Sequence, residues 1–303
     1  MNVGIVAHDA GGAELISSWV LNKLEEYSFS FLLEGPALKI FKDKLNFDLD
    51  LKSRDEILSN SDWLLCGTSW ESNLEKEILI KAKNTSLKVV SYIDHWINYE
   101  ERFLLKKSIC LPDEIWVGDN EAFRIAKSLF KDTKVILEKN QYFVDQKTRI
   151  HELLLNKKKQ KTGIALYVCE PIREHALMQY GKADFLGYDE ITAMKFFLDN
   201  FLDIDRNISK IMIRPHPSED HSKYTWVKEY SNADITIQAD RSLVDQIIDS
   251  DIVFGCESMA MVIALMAKKK VYSSIPHNGR PCILPHKEIK KMSNYIREGG
   301  RLT

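Results

Sequence analysis

The sequence predicts a two-domain α/β protein, each domain built on a parallel sheet, and three observations lead there. A length of 303 residues suits two domains of ordinary size better than one. Short apolar runs alternate with helical stretches, which is the pattern of strands covered on both faces. The alternation breaks once, at a polar, Lys-rich stretch near Arg149 to Lys161, and then restarts. Hydrophobic residues make up 45% of the chain and charged residues 28%, enough for a real core in each half.

In the first half, Val3 to Ala7 reads as a strand, followed by a Gly-containing turn and a helical stretch from Ala13 to Leu24. Further strands are expected at Phe29–Leu33, Trp63–Cys66, Val89–Ile93 and Ile115–Val117, with helices at Leu74–Lys83 and Glu121–Phe130. The second half restarts at Gly163–Val168. A long helix over Asp189–Leu202 and strands at Lys210–Ile213, Ile235–Ile237, Ile252–Phe254 and Lys270–Tyr272 follow. Residues 1–150 are thus expected to form one domain and 161–285 another, with the C-terminal 286–303 as a helix with a basic face. Two such sheets imply a cleft, with ligands outside the carboxyl ends of the strands.

A net charge of -2 argues against nucleic acid as the main partner. The five cysteines are far apart with no CxxC pair, so neither a metal-ligand spacing nor a disulfide framework is expected. The N-terminus enters a strand directly and no apolar run reaches transmembrane length, so the expected location is the cytoplasm.

Polar groups that end strands are the candidate site residues. Arg214-Pro215-His216-Pro217 follows Lys210–Ile213, where two prolines stiffen the loop, Arg214 can fork onto a phosphate and His216 can donate a proton. Gly255-Cys256-Glu257-Ser258 precedes a helix; Ser258 suits an N-cap, the free amides suit an anion, and Glu257 suits ribose hydroxyls. Ser273 and Ser274 end the next strand, and Glu170 ends the first strand of the second half. In the first half, Asp9 follows the first strand with Gly11 and Gly12 beside it, and suits either a general base or a helix cap. Thr68, Ser69 and Glu71 follow the third strand; Asp94 and His95 follow the fourth, with Arg102 a little later. Together these suit the hydroxyl-rich face of a sugar acceptor. Taken singly, each is more commonly a cap or a partly buried packing residue.

The His216-Pro217 pair at a strand end, the Glu257-Ser258 helix start and the first-domain Asp9 resemble the bacterial glycosyltransferases of GT-B architecture that use CMP-activated acidic sugars. Sialyltransferases and Kdo or other nonulosonate transferases are among them. That resemblance implies two Rossmann-like domains facing a cleft. It also implies an inverting, metal-independent transfer from a CMP-sugar to a glycan or surface-polymer acceptor, with no further cofactor. His216 and Asp9 would be catalytic, as leaving-group assistant and base. Arg214, Pro217, Glu170, Gly255, Glu257, Ser258, Ser273 and Ser274 would face the donor. Gly11, Gly12, Thr68, Ser69, Glu71, Asp94, His95 and Arg102 would face the acceptor. The base stays open among Asp9, Glu71 and Asp94. The family pattern of an acidic pair followed by glycine is His8-Asp9-Ala10-Gly11 here, and its double serine is Glu257-Ser258. The C-terminal helix would pack back on the first domain or lie near a membrane-bound acceptor, as a peripheral membrane contact. A UDP-sugar epimerase or hydrolase of the same architecture is the alternative, and a nucleotide- or glycan-binding module without turnover is another.

Overall fold

The computed structural model describes residues 1–69, 72–155 and 161–296. The chain divides into two compact units, Met1–Asp145 and Gln146–Thr303.

The first unit runs β1 (Asn2–Ala7), α1 (Ala10–Leu21), β2 (Ser28–Leu33), α2 (Gly35–Lys44), α3 (Arg54–Asn60), β3 (Trp63–Cys66), α4 (Leu74–Ala82) and β4 (Lys88–Ile93). A small antiparallel hairpin of β5 (Leu104–Leu105) and β6 (Ser108–Ile109) follows, then β7 (Glu114–Val117), α5 (Asn120–Leu129) and β8 (Lys134–Leu137). The six main strands are parallel in the order β2-β1-β3-β4-β7-β8. Nearly every residue of β1 is buried, because helices cover both faces of a parallel sheet. Val3, Ile5, Ile16, Phe41 and Tyr92 sit in one apolar cluster. Trp19 of α1 packs among Tyr27, Trp63 and Trp116 with ring centroids 5.7–6.0 Å apart, fixing α1 across the sheet.

The second unit is reached through α6 (Gln141–Leu155). The polar stretch expected to begin at Arg149 is therefore helical as far as Leu155; Ile150 is buried and Arg149 pairs with Asp245. Then come β9 (Ile164–Val168), α7 (Ile172–Tyr180), α8 (Glu190–Ile204), β10 (Lys210–Arg214), α9 (Val227–Tyr230), β11 (Asp234–Ile237), α10 (Leu243–Asp249), β12 (Ile252–Gly255), α11 (Met259–Met266), β13 (Lys270–Ser273) and β14 (Ile289–Lys291). These strands are parallel in the order β11-β10-β9-β12-β13-β14. Tyr167, Phe197, Phe254 and Tyr224 fill the core beneath them.

The expected fold class, an α/β chain of two parallel-sheet domains, is what the structure has. The expected C-terminal helix is not. Ile289 to Lys291 extends as an edge strand beside β13, and a short 3-10 turn follows at Met292–Tyr295. Met292 drives this: it is wholly buried in the core of the second unit. The rest of that expected helix, Arg297 onward, lies outside the described residues. Among the described residues no helix is long and apolar enough to cross a membrane.

Each strand order reverses once. In the first unit the chain winds away in both directions from β1 and β3, and in the second from β9 and β12. Crevices open at the carboxyl ends of such neighbours, so these two points are where ligand chemistry is sought.

Candidate functional site

At the first reversal, β1 delivers His8 and Asp9 and β3 delivers Gly67 and Thr68. Asp9 stands at the N-cap of α1, yet its side chain makes no capping bond. Its Oδ1 instead accepts from His8 Nδ1–H at 2.7 Å, with both side chains about a quarter to a fifth exposed (25% and 21%). The His8 backbone N–H donates to Glu75 Oε1 at 2.8 Å. Glu75, in the first turn of α4, is only 5% exposed and its Oε2 has no hydrogen-bond partner. Burial, with Asp9 close by, pushes its carboxyl up to about 7 against the pull of the backbone donors. Glu75 thus holds a proton at mildly acidic to neutral pH, beside a carboxylate oriented by a histidine. A buried acid with raised proton affinity beside a second acidic side chain is a candidate acid–base group.

Asp94, at the end of β4, lies against the same turn: a Cβ on Gly11 would overlap its carboxylate. Arg102 Nη1 donates to Asp94 Oδ1 at 2.7 Å and to both oxygens of Thr68 at 2.8 Å, and Arg102 Nε donates to the Ile97 carbonyl. The guanidinium is buried, so this ion pair is a fixed strut with its donors well used. Ser69 is equally buried, and its hydroxyl accepts from Ser72 N–H. Gly12 faces Gly67, and a Cβ there would meet the Gly67 Cα at 3.4 Å, an ordinary contact. The His95 ring packs edge-on against Trp96 at 5.3 Å. Glu71 lies outside the described residues.

At the second reversal, β9 ends in Cys169-Glu170 and β12 runs into α11 through Cys256-Glu257-Ser258. Ser258 is the N-cap, and its hydroxyl accepts from Ala260 N–H. The two amides before it already carry a carboxyl group. Glu170 Oε1 accepts from Cys256 N–H at 3.1 Å and Glu257 N–H at 2.9 Å. Burial and neighbouring Glu257 push the Glu170 carboxyl up to about 8 even so. Glu257 pairs with Arg280 at 3.0 Å, and Arg280 also donates to the Tyr180 hydroxyl. Ser273 and Ser274 spend their hydroxyls on the carbonyls of Cys256 and Gly255, tying β13 to β12. A Cβ on Gly255 would meet Val168 at 2.7 Å, so this glycine serves packing.

The Arg214–Pro217 strand end resolves into two parts. Arg214 Nη1 donates to the Arg241 carbonyl at 2.7 Å and to Gln246 Oε1 at 2.6 Å, which anchors α10. Pro215 is buried and Pro217 exposed in a turn closed by Glu219 N–H donating to the His216 carbonyl. Ser218 N–H donates to His216 Nδ1 at 3.3 Å and the Ser218 hydroxyl lies 2.7 Å from the same nitrogen, so the ring proton sits on Nε2. Burial and nearby His175 lower the His216 pKa, Glu219 opposing, so the ring is a neutral hydrogen-bond donor through Nε2–H.

Reasoning from sequence did not single out the group beside it. Glu174, Glu190 and Glu219 bring carboxylate oxygens within metal-binding reach of one another, but Lys223 Nζ pairs with all three. A lysine supplies the counter-charge there, and Glu219 also takes the Tyr224 hydroxyl and the His216 N–H. The spacing Glu219–Lys223, four apart after the His-Pro turn, was the available signal. Glu75 was also missed, though it lies three, four and seven residues before Ile78, Leu79 and Ala82 on the buried face of α4.

No protein-family model matches the sequence, and no curated protein does. Solved structures do. The UDP-N-acetylglucosamine 2-epimerase of Rickettsia bellii is similar over 92% of this chain and 80% of its own, with a TM-score of 0.59 and 11% identity. The UDP-GlcNAc 2-epimerase of Neisseria meningitidis, solved bound to UDP-GlcNAc, matches over 90% and 82% with a TM-score of 0.57 and 12% identity. A UDP-glucosyltransferase of Polygonum tinctorium matches over 91% and 80% with a TM-score of 0.51 and 8% identity. The chain therefore shares the GT-B-type fold of these proteins. The expectation of a CMP-sugar-dependent sialyltransferase or nonulosonate transferase is corrected by the same finding: the neighbours handle UDP-sugars, foremost as 2-epimerases. A His-Pro pair at a strand end was too short a signal to choose the nucleotide.

Proposed function

We propose that the protein is an enzyme acting on a UDP-sugar, epimerising or hydrolysing it. The observation that carries this is the fold shared over nine-tenths of the chain with UDP-GlcNAc 2-epimerases. The acid–base group at the first reversal supports it. Inverting a sugar carbon requires one group to take a proton and another to return one on the opposite face. Asp9, oriented by His8 and partly exposed, suits the base; Glu75 behind it carries a proton near neutral pH. Asp94 is the second carboxylate of that group, held by Arg102. A leaving diphosphate needs neutral or cationic donors, and the second unit carries a neutral one in His216 Nε2–H.

The test is incubation with UDP-GlcNAc and related UDP-sugars in D2O, followed by proton and phosphorus NMR. Epimerisation through a carbanion places deuterium on the inverted carbon; hydrolysis releases UDP without it. UDP-sugars that all stay unchanged would overturn the proposal, as would UDP release only when an acceptor alcohol is added.

A further inference from the structure

The β5–β6 hairpin departs twice from the ordinary make-up of a two-stranded ribbon on a protein surface. Leu104 pairs with Ile109 and Leu105 with Ser108, so Leu104 and Ile109 share one face and Leu105 and Ser108 the other. The face that carries two apolar residues is the outer one. Leu104 is 43% exposed and Ile109 50%, whereas Leu105 on the opposite face is half-buried. In such an alternation the apolar pair ordinarily turns inward. The turn itself, Lys106-Lys107, is the second departure. Both lysines have left-handed backbone, with φ of 47° and 71°. Two-residue hairpin turns that need this conformation take Asn-Gly or Asp-Gly, and a long side chain at both positions is strained. Both lysines are exposed, and neither ammonium makes a hydrogen bond or ion pair with a described residue. The base of the hairpin, in contrast, is fixed. Cys110 N–H donates to the Phe103 carbonyl at 2.8 Å, Phe103 is buried edge-on against Phe130 at 5.5 Å, and Arg102 is buried in its pair with Asp94.

We propose that this hairpin docks the first unit on an anionic lipid surface, with the Lys106 and Lys107 ammonium groups among the headgroups and Leu104 and Ile109 entering the acyl boundary. A lipid surface offers both things that the hairpin leaves unsatisfied, a plane of negative charge and an apolar layer beneath it. A protein partner of opposite charge would suit the lysines, but two side chains on a two-stranded ribbon are far less area than a specific protein interface buries. Lysine at both turn positions gives up backbone ease for two charges at the tip of the hairpin, and strain of that kind persists where it serves a purpose. Glu100 and Glu101 precede the hairpin and are separated from its tip by the buried Arg102 and Phe103 and by β5. The whole chain carries a net charge of -2, so attraction to an anionic surface has to come from a local basic element of this sort. The proposal does not rest on the UDP-sugar reading, since no hairpin residue belongs to the acid–base group.

The test is co-sedimentation of the full-length protein with vesicles at low salt and millimolar lipid. One set is pure phosphatidylcholine, and the other is equal parts of phosphatidylcholine and phosphatidylglycerol. The protein should sediment with the anionic vesicles and stay in solution with the neutral ones, and added salt should release it. No sedimentation beyond a lipid-free control overturns the proposal, and so does equal sedimentation with both sets. The double variant K106N/K107G installs the turn that the backbone prefers, so its Tm should equal or exceed the parent's. Its partition onto anionic vesicles should nevertheless fall about thirtyfold, the loss of two lysines at a charged surface. Partition unchanged in a folded K106N/K107G overturns the proposal. L104T/I109T keeps the charges and the strand preference of the hairpin, and should lower partition about tenfold by removing the apolar face; unchanged partition there removes the lipid contact of Leu104 and Ile109 and overturns it as well. K106R/K107R, which keeps both charges, should bind as the parent does. Should the Asn-Gly variant not fold, that charge-preserving variant decides, and its failure to bind overturns the proposal.

Discussion

Replacing Glu75 by Gln changes one oxygen to an NH2 group and leaves the shape in place, so its effect isolates the charge. The folded-state pKa of this carboxyl is pushed up from 4.5 to about 7. A group whose pKa rises on folding binds its proton more tightly in the native state. Its contribution is therefore fully present below pH 4.5 and is lost as the pH rises toward 7. A shift of that size corresponds to about 3 kcal/mol. Gln mimics the protonated form at every pH, and Oε1 still accepts from the His8 N–H. E75Q should thus match the parent near pH 4.5 and become the more stable of the two as the pH rises. The gap should widen to about 3 kcal/mol by pH 8. Urea unfolding followed by fluorescence at half-unit steps from pH 4.5 to 8.5, with both proteins in the same buffers, measures this difference and cancels the other carboxylates. A difference that does not change with pH would refute the claim that Glu75 is buried with an elevated proton affinity. A parent that gains stability over E75Q toward alkaline pH would mean that the carboxylate has a cation partner after all.

Three further substitutions probe the strand ends. Arg102→Met leaves the Asp94 carboxylate buried with no counter-charge and should cost about 3–5 kcal/mol, read as a lowered urea midpoint. Ser258→Ala removes the hydroxyl that caps α11 and should cost about 1 kcal/mol by the same measurement. Gly11→Ala puts a methyl into the Asp94 carboxylate and should displace that side chain. Tm is expected to fall, and a crystal structure should show the Asp94–Arg102 pair reoriented; an unmoved pair would show that the turn has room to spare.

The strands were legible because they are buried on both faces and therefore continuous in apolar residues. Val3–Ala7, Trp63–Cys66 and Ile252–Phe254 can be read directly. Shorter elements escaped: α3 is a seven-residue helix that depends on its Ser53–Glu56 capping box, and β8 is four residues at the sheet edge with both ends exposed. Strand-end positions were legible too, since the parallel sheet dictates where turns gather. What each side chain does there was not. Ser273, Ser274 and Gly255 stand where ligand groups would, but they tie strands together. Glu75 falls on the apolar face of α4 by spacing, but its role shows only when the first turn of α4 is seen to face the end of β1. Side-chain periodicity registers which face of a helix is apolar, and it is blind to charges that a neighbouring strand end covers.

Glu170 gives the amides ahead of α11 a resident that never diffuses away. Any external anion that takes those two N–H groups must displace the Glu170 carboxyl oxygen. Its measured affinity is then a difference between two interactions and not the full pull of a helix end. Such an exchange favours ligands able to offer more than one charge or several hydrogen bonds at once, and a lone chloride or acetate gains almost nothing.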